Sequence, residues 1–123
     1  MKANELMIGD LVNLSKGNWS ENRQVELIDI EMIAESVYLA DPIPLTAEIL
    51  EKNGFETEDA KDGGFVLCDD FYDIFIYEWS DSIWVARYES TEMNIPFEQA
   101  TMSYVYELQH FLKSNGVEKE IEL

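Results

Sequence analysis

The chain has 123 residues, of which 46% are hydrophobic and 12% aromatic, enough for one domain with its own core and too apolar for a disordered chain. Its 26 Asp and Glu stand against 8 Lys and Arg, a formal charge of −18; such a chain repels nucleic acid and anionic membrane surfaces unless its basic residues cluster, and Lys2, Lys16, Arg23, Lys52, Lys61, Arg87, Lys113 and Lys119 are scattered. A single cysteine, Cys68, excludes an internal disulfide, and with no signal-like or membrane-length apolar run the expected location is the cytoplasm.

From the N-terminus, Gly9 to Leu14 reads as a glycine bend entering a strand, with Val12 and Leu14 on one face. Ser15 to Asn22 is rich in turn formers and reads as a loop holding Trp19. In "VELIDIEMI" Val25 and Leu27 share one parity while Ile28, Ile30 and Met32 share the other, which predicts a strand with a bulge near Leu27–Ile28. Ser36 to Ala40 reads as a third short strand. Three such strands predict a small curled β meander over residues 1–45, SH3-like in its general plan.

"DPIPLTAEILEKNGFE" punctuates the middle of the chain. Pro42 and Pro44 hold Asp41 and Ile43 extended. Thr46 stands at an N-cap position before a short helix, Ala47 to Asn53, with Ile49 and Leu50 inward. Gly54 suits a left-handed helix ending and Phe55 its hydrophobic contact. Glu56 to Gly64 reads as a polar loop, and Phe65 to Cys68 as a strand. Phe71, Phe75, Tyr77 and Trp79 share one parity; Tyr72, Ile74 and Ile76 share the other, as in a central or sandwiched strand. A turn at Ser80–Ser82 returns the chain as Ile83 to Tyr88, and "ESTEMNIP" reads as loop or edge. Val105, Leu108, Phe111 and Leu112 mark an amphipathic helix ended by Asn115-Gly116. Val117 to Leu123 alternates like an edge strand. "ILEKNGFE" and "FLKSNGVE" echo each other as two similar helix ends, too few for a repeat protein. The expected fold is α+β, one domain over residues 1–123: the meander lobe, then an α+β lobe over 46–123 with connector helix, antiparallel hairpin sheet, C-terminal helix and edge strand.

The chemistry-bearing residues form no recognised motif. There is no Gly-rich phosphate loop. One Cys and one His are too few for zinc, and Asp62, Asp69, Asp70 and Asp73 miss the calcium-loop spacing. Cys68 reads as a small buried hydrophobe and His110 as an exposed helix residue. No catalytic, cofactor-binding or metal residue is therefore assigned. The dense aromatics around the hairpin divide between core and interface, and Trp79, Trp84, Tyr77 and Tyr88 are the candidate interaction patch.

"MKANELMIGDLVN", "PIPLTAEILEKNGFE" and "YVYELQHFLKSNGVEKEIEL", in that order, resemble a family of short uncharacterised proteins of gut anaerobic bacteria and their temperate phages. The likeness covers about half of the chain, both ends and the middle. Tyr106 stands where that family tends to carry His, and Ser114-Asn115-Gly116 replaces its Leu-Thr-Gly. The resemblance implies a phage or mobile-element setting and no activity. Together with the charge, it leads to the expectation of a non-enzymatic module that binds a protein partner, basic in character, with no direct nucleic-acid or membrane binding and with self-association open. Two rivals stand beside it: an acidic nucleic-acid mimic that occupies a DNA-binding protein, and a small enzyme using a carboxylate pair.

Overall fold

Gly17, at φ +58°, and Asn18 reverse the chain between β1 (Leu11–Lys16) and β2 (Trp19–Gln24). The hairpin runs in register from Leu11 opposite Gln24 to Lys16 opposite Trp19. Glycine at the first turn position supplies the positive φ that a two-residue hairpin turn needs. Most of the expected Ser15–Asn22 loop is therefore strand. Only Arg23 in β2 is even half-buried, so no apolar alternation marks it in the sequence.

The computed structural model describes residues 1–57, 64–90 and 98–123. They fall into two compact units, Met1–Ile43 with Tyr104–Tyr106, and Pro44–Ser103 with Glu107–Leu123. In the first, the stretch expected as a bulged strand is a helix, α1 (Leu27–Ala34). The change of phase in "VELIDIEMI" is the helical period: Asp29 and Ile33, four apart, are its buried pair. Asp29 also closes the first turn, its Oδ2 accepting the Glu26 N–H at 2.9 Å. β3 (Leu39–Pro42) lies slightly later than the expected third strand and pairs with the other side of β1. The sheet order is β2-β1-β3, antiparallel throughout. It is an open three-stranded sheet, not the closed barrel of an SH3-like lobe. Leu6, Val12, Leu14, Val25, Ile33 and Ala40 form its core.

The second unit begins with the connector helix, α2 (Ala47–Lys52), capped where expected: Thr46 Oγ1 accepts the Ile49 N–H at 3.3 Å. Its end is a Schellman motif. Gly54 takes φ +86°, the Phe55 N–H donates to Leu50 O at 3.0 Å, and the Gly54 N–H donates to Glu51 O at 3.2 Å. A five-stranded antiparallel sheet follows in chain order: β4 (Glu56–Thr57), β5 (Phe65–Cys68), β6 (Tyr72–Ser80), β7 (Ile83–Ser90) and β8 (Glu98–Met102). β8 alternates too weakly to be read from sequence. In α3 (Val105–Ser114), Val105, Leu108, Phe111 and Leu112 are buried as the periodicity predicts.

The expected C-terminal edge strand does not form: residues 117–123 are in no strand. Val117 and Ile121 are nevertheless buried. The segment is held by a side chain in place of a neighbouring strand. Asn53 Nδ2 donates to Glu122 O, and Asn53 Oδ1 accepts the Glu122 N–H, both at 2.7 Å. The alternating pattern gave the right burial and the wrong hydrogen-bond partner.

Candidate interaction face

Register decides what the hairpin aromatics can do. Residues opposite one another across paired strands share a sheet face, and successive residues alternate. On one face Phe65, Ile76 and Ala86 lie in a row, with Ile74 beside them and Trp84 further along. All five are buried. Trp84 is only 4% exposed, its Nε1–H donates to Leu45 O at 3.1 Å, and its ring lies 6.1 Å from that of Phe65. Trp84 is core, and its place in the candidate patch is corrected. An indole buried with its N–H satisfied supports packing.

Tyr88 is on the same face, near its margin, in a tilted ring contact with Tyr72 at 5.7 Å. Burial, together with the negative charge and hydrogen bond of Asp69 and the nearby Tyr88, pushes the Tyr72 phenol above its ordinary pKa. Tyr77 is on the other face, opposite Val85. The patch proposed from sequence is thus divided by the pleat: Trp84 and Tyr88 point one way and Tyr77 the other.

The outer face has its own composition. Asp73, Phe75 and Tyr77 follow one another on β6, and all are half-buried. Val85 is buried there, so this face has a packed centre. Beyond Tyr77 the register shifts between Glu78 and Ser80, leaving Trp79 without a partner on β7. Such a bulge re-aims a side chain, and Trp79 is 72% exposed. At the other end, Phe71 in the turn before β6 is 69% exposed. Ser82, at φ +65°, completes the short Asp81–Ser82 turn beyond Trp79.

The charges on this face lie in two rows, Glu56 and Arg87 in line with Phe75, and Asp73 and Glu89 one row on. Asp73 stands directly opposite Glu89 on β7 and Cys68 on β5. Glu89 has a salt bridge to Arg87 at 2.8 Å. Asp73 takes part in no ion pair among the described residues. Like charges directly opposite disfavour the pairing that brings them together. Cys68 is exposed, which corrects its reading as a buried hydrophobe. It sits in the last position of β5, where the strand's cover ends.

The residues suited to acid–base or metal chemistry lie elsewhere or apart. The deeply buried carboxylates, Asp10 and Asp29, are in the first unit. Asp10 Oδ2 accepts the Met7 N–H at 2.8 Å. Asp29 binds Arg23 and the Glu26 N–H. Both carboxylates serve turns of the backbone. Sequence reasoning did not find them, because a single Asp carries no sign of burial in its own neighbourhood; for Asp29 the nearest signal was the Glu26-x-x-Asp29 spacing at a helix start. A groove of about 420 Å³ in the same unit is lined by Met1, Lys2, Ile33, Tyr38, Leu39 and Asp41, among others, and by neither buried Asp. No group of three or more His, Cys, Asp or Glu among the described residues is placed to hold a metal; Asp62 of the sequence cluster lies outside them. His110 is half-buried on α3. No helix among the described residues is long and apolar enough to cross a membrane. No family model, curated protein or solved structure matches the chain.

Proposed function

We propose that this protein is a non-enzymatic interaction module, of the phage or mobile-element setting its sequence resembles, that binds a protein partner through the exposed aromatic side chains of β6 and the turn before it. The observation that carries this is Trp79, lifted out of the strand register by a bulge and left 72% exposed. Phe75 and Tyr77 add half-buried aromatic surface on the same strand, and Phe71, in the turn before it, is 69% exposed. Aromatic side chains supply most of the energy at protein interfaces, and a large exposed indole has no folding use. With a chain charge of −18, the complementary partner surface is basic.

The outer face also favours this reading over phosphate mimicry. A mimic needs carboxylates spaced along one surface, whereas on this face Phe75, Tyr77 and Val85 interrupt them. A carboxylate enzyme needs two acids in one cleft, and the two buried acids are spent on their own turns.

The test is affinity capture from a bacterial host lysate by the wild type and by the Phe71→Ala/Trp79→Ala double variant. A specific partner retained by the wild type and lost by a normally folded double variant supports the module. Equal retention by both would remove these aromatics from binding.

A further inference from the structure

The three-stranded sheet of the first unit has one open edge, along β2. Val25, just past that strand, donates its N–H to Asp10 O and accepts the Gly9 N–H on its own carbonyl, both at 2.8 Å. Its backbone groups therefore point toward β1, and by the alternation of an antiparallel ladder so do those of Arg23 and Glu21. The N–H and C=O groups of Gln24, Asn22 and Ser20 point the other way. They have no backbone partner among the described residues, and all three residues are exposed. The opposite edge of the sheet is managed differently. On β3 the Ala40 carbonyl accepts from Met1 N at 2.8 Å, and Pro42 has no N–H to offer. β2 carries neither device: it has six residues, no proline and an unbroken register with β1. An edge of that kind is a template for another strand.

Charge selects the strand that fits. Glu21 and Arg23 stand on the same side of the sheet, with Arg23 Nη1 3.8 Å from Glu21 Oε2. If a second copy of β2 pairs antiparallel through the outward groups, outward residues must lie opposite outward residues, so the allowed registers differ by two. With Asn22 opposite Asn22 of the second copy, Ser20 meets Gln24, and Glu21 meets Arg23 on both sides of the two-fold axis. Moving one allowed step either way sets Glu21 on Glu21 or Arg23 on Arg23. The strand is thus self-complementary at Asn22 and self-repelling in the neighbouring registers. Residues 11–24 hold Lys16 and Arg23 against Glu21, one positive charge net in a chain of −18, so two hairpins approach without the repulsion of acid on acid. At physiological salt the Debye length is about 8 Å, and exposed acids further from the contact are largely screened.

We infer that β2 is a self-association edge: two copies of the chain pair antiparallel through Ser20, Asn22 and Gln24 about a two-fold axis at Asn22, joining their three-stranded sheets into one. The pairing goes beyond the interaction-module reading and does not use the aromatics of β6.

Sedimentation of the full-length protein over a concentration series reads the assembly, and amide hydrogen exchange reads the register. The wild type should pass from monomer to dimer as concentration rises. Exchange at Ser20, Asn22 and Gln24 should then slow about tenfold, while Glu21 and Arg23, whose amides already face β1, should not change. Asn22 meets itself at the axis. Asn22→Asp and Asn22→Lys should therefore each weaken the dimer about tenfold by setting like charges opposite, and the two variants mixed should recover it as a heterodimer. Phe71→Ala/Trp79→Ala should dimerise as the wild type does. A chain that stays monomeric to millimolar concentration, a dimer that both Asn22 variants leave intact, or slowing that spares Ser20, Asn22 and Gln24 would each overturn the assignment. So would a dimer lost in Phe71→Ala/Trp79→Ala, because that gives self-association to the aromatics. The exchange pattern is read on the wild type and needs no variant to fold.

Discussion

Asp29 shows how much a single buried acid can organise. Its side chain is 1% exposed, one oxygen holds the first turn of α1 and the other binds Arg23, which also lies over the Trp19 ring at 5.7 Å. One carboxylate thereby ties α1 to β2. Removing one partner of a buried pair strands the other, but the Arg23 side chain is 36% exposed and water recovers part of the loss. Asp29→Ala should cost about 2–3 kcal/mol by urea denaturation; an unchanged midpoint would show that the pair holds nothing together. Tyr72 makes a second prediction, in pH. Its pKa is raised in the fold by burial and by Asp69, so the neutral phenol is favoured when folded. Its contribution to stability is fully present below the ordinary tyrosine value near 10 and is lost as pH rises through the folded value. Melting temperature should therefore fall more steeply above about pH 10 in the wild type than in Tyr72→Phe. Parallel curves would remove Tyr72 from the alkaline transition.

At the scale of elements, the two Asn-Gly helix ends are the same device used twice. In α3 the Val117 N–H donates to Leu112 O at 2.9 Å and the Gly116 N–H to Lys113 O at 3.1 Å, as Phe55 and Gly54 do in α2. Each Asn also donates back into its helix, Asn53 to Ile49 O at 2.7 Å and Asn115 to Phe111 O at 2.8 Å. Only Asn53 goes further and grips the backbone of Glu122. The echo in sequence hides this difference in duty. Asn53→Ala should cost about 1–3 kcal/mol, because it removes both hydrogen bonds that hold the backbone of Glu122. It should also speed hydrogen exchange at Glu122. Asn115→Ala should cost less. Equal costs would mean that the C-terminal segment is held by Val117 and Ile121 alone. For α2 itself, Leu50 is buried, and Leu50→Ala should lose about 2–5 kcal/mol.

For the whole molecule the dominant quantity is charge. A formal charge of −18, with the basic residues scattered along the sequence, opposes the counterion release that nucleic-acid binding needs. A gel shift with random duplex DNA at physiological salt should show no complex, and saturable binding would overturn the protein-directed reading. Charge around an interface governs encounter more than residence. Association with a captured basic partner should therefore slow as salt shortens the Debye length from about 10 Å at 0.1 M to about 3 Å at 1 M, with dissociation changing far less. An on-rate indifferent to salt would leave binding to the aromatic surface alone.

What the sequence determined by itself was local. Thr46, Gly54 and Gly116 stop and start helices through bonds that span a few residues, so spacing reveals them. The stripe of Val105, Leu108, Phe111 and Leu112 is legible for the same reason: it repeats within one element. β2 was not legible, because a strand exposed on both sides carries no alternation and owes its pairing to β1. Nor was α1, where a short apolar run fits either period and the choice falls to Asp29 and Arg23 meeting across a turn. The candidate site was legible only as a concentration of aromatics. Which of them face outward depends on register with β5 and β7: pairing buries Trp84, a bulge releases Trp79, and Asp73 meets Glu89 sixteen residues away. Those are non-local choices, made by strand pairing and core packing, and a one-residue slip would invert every one of them.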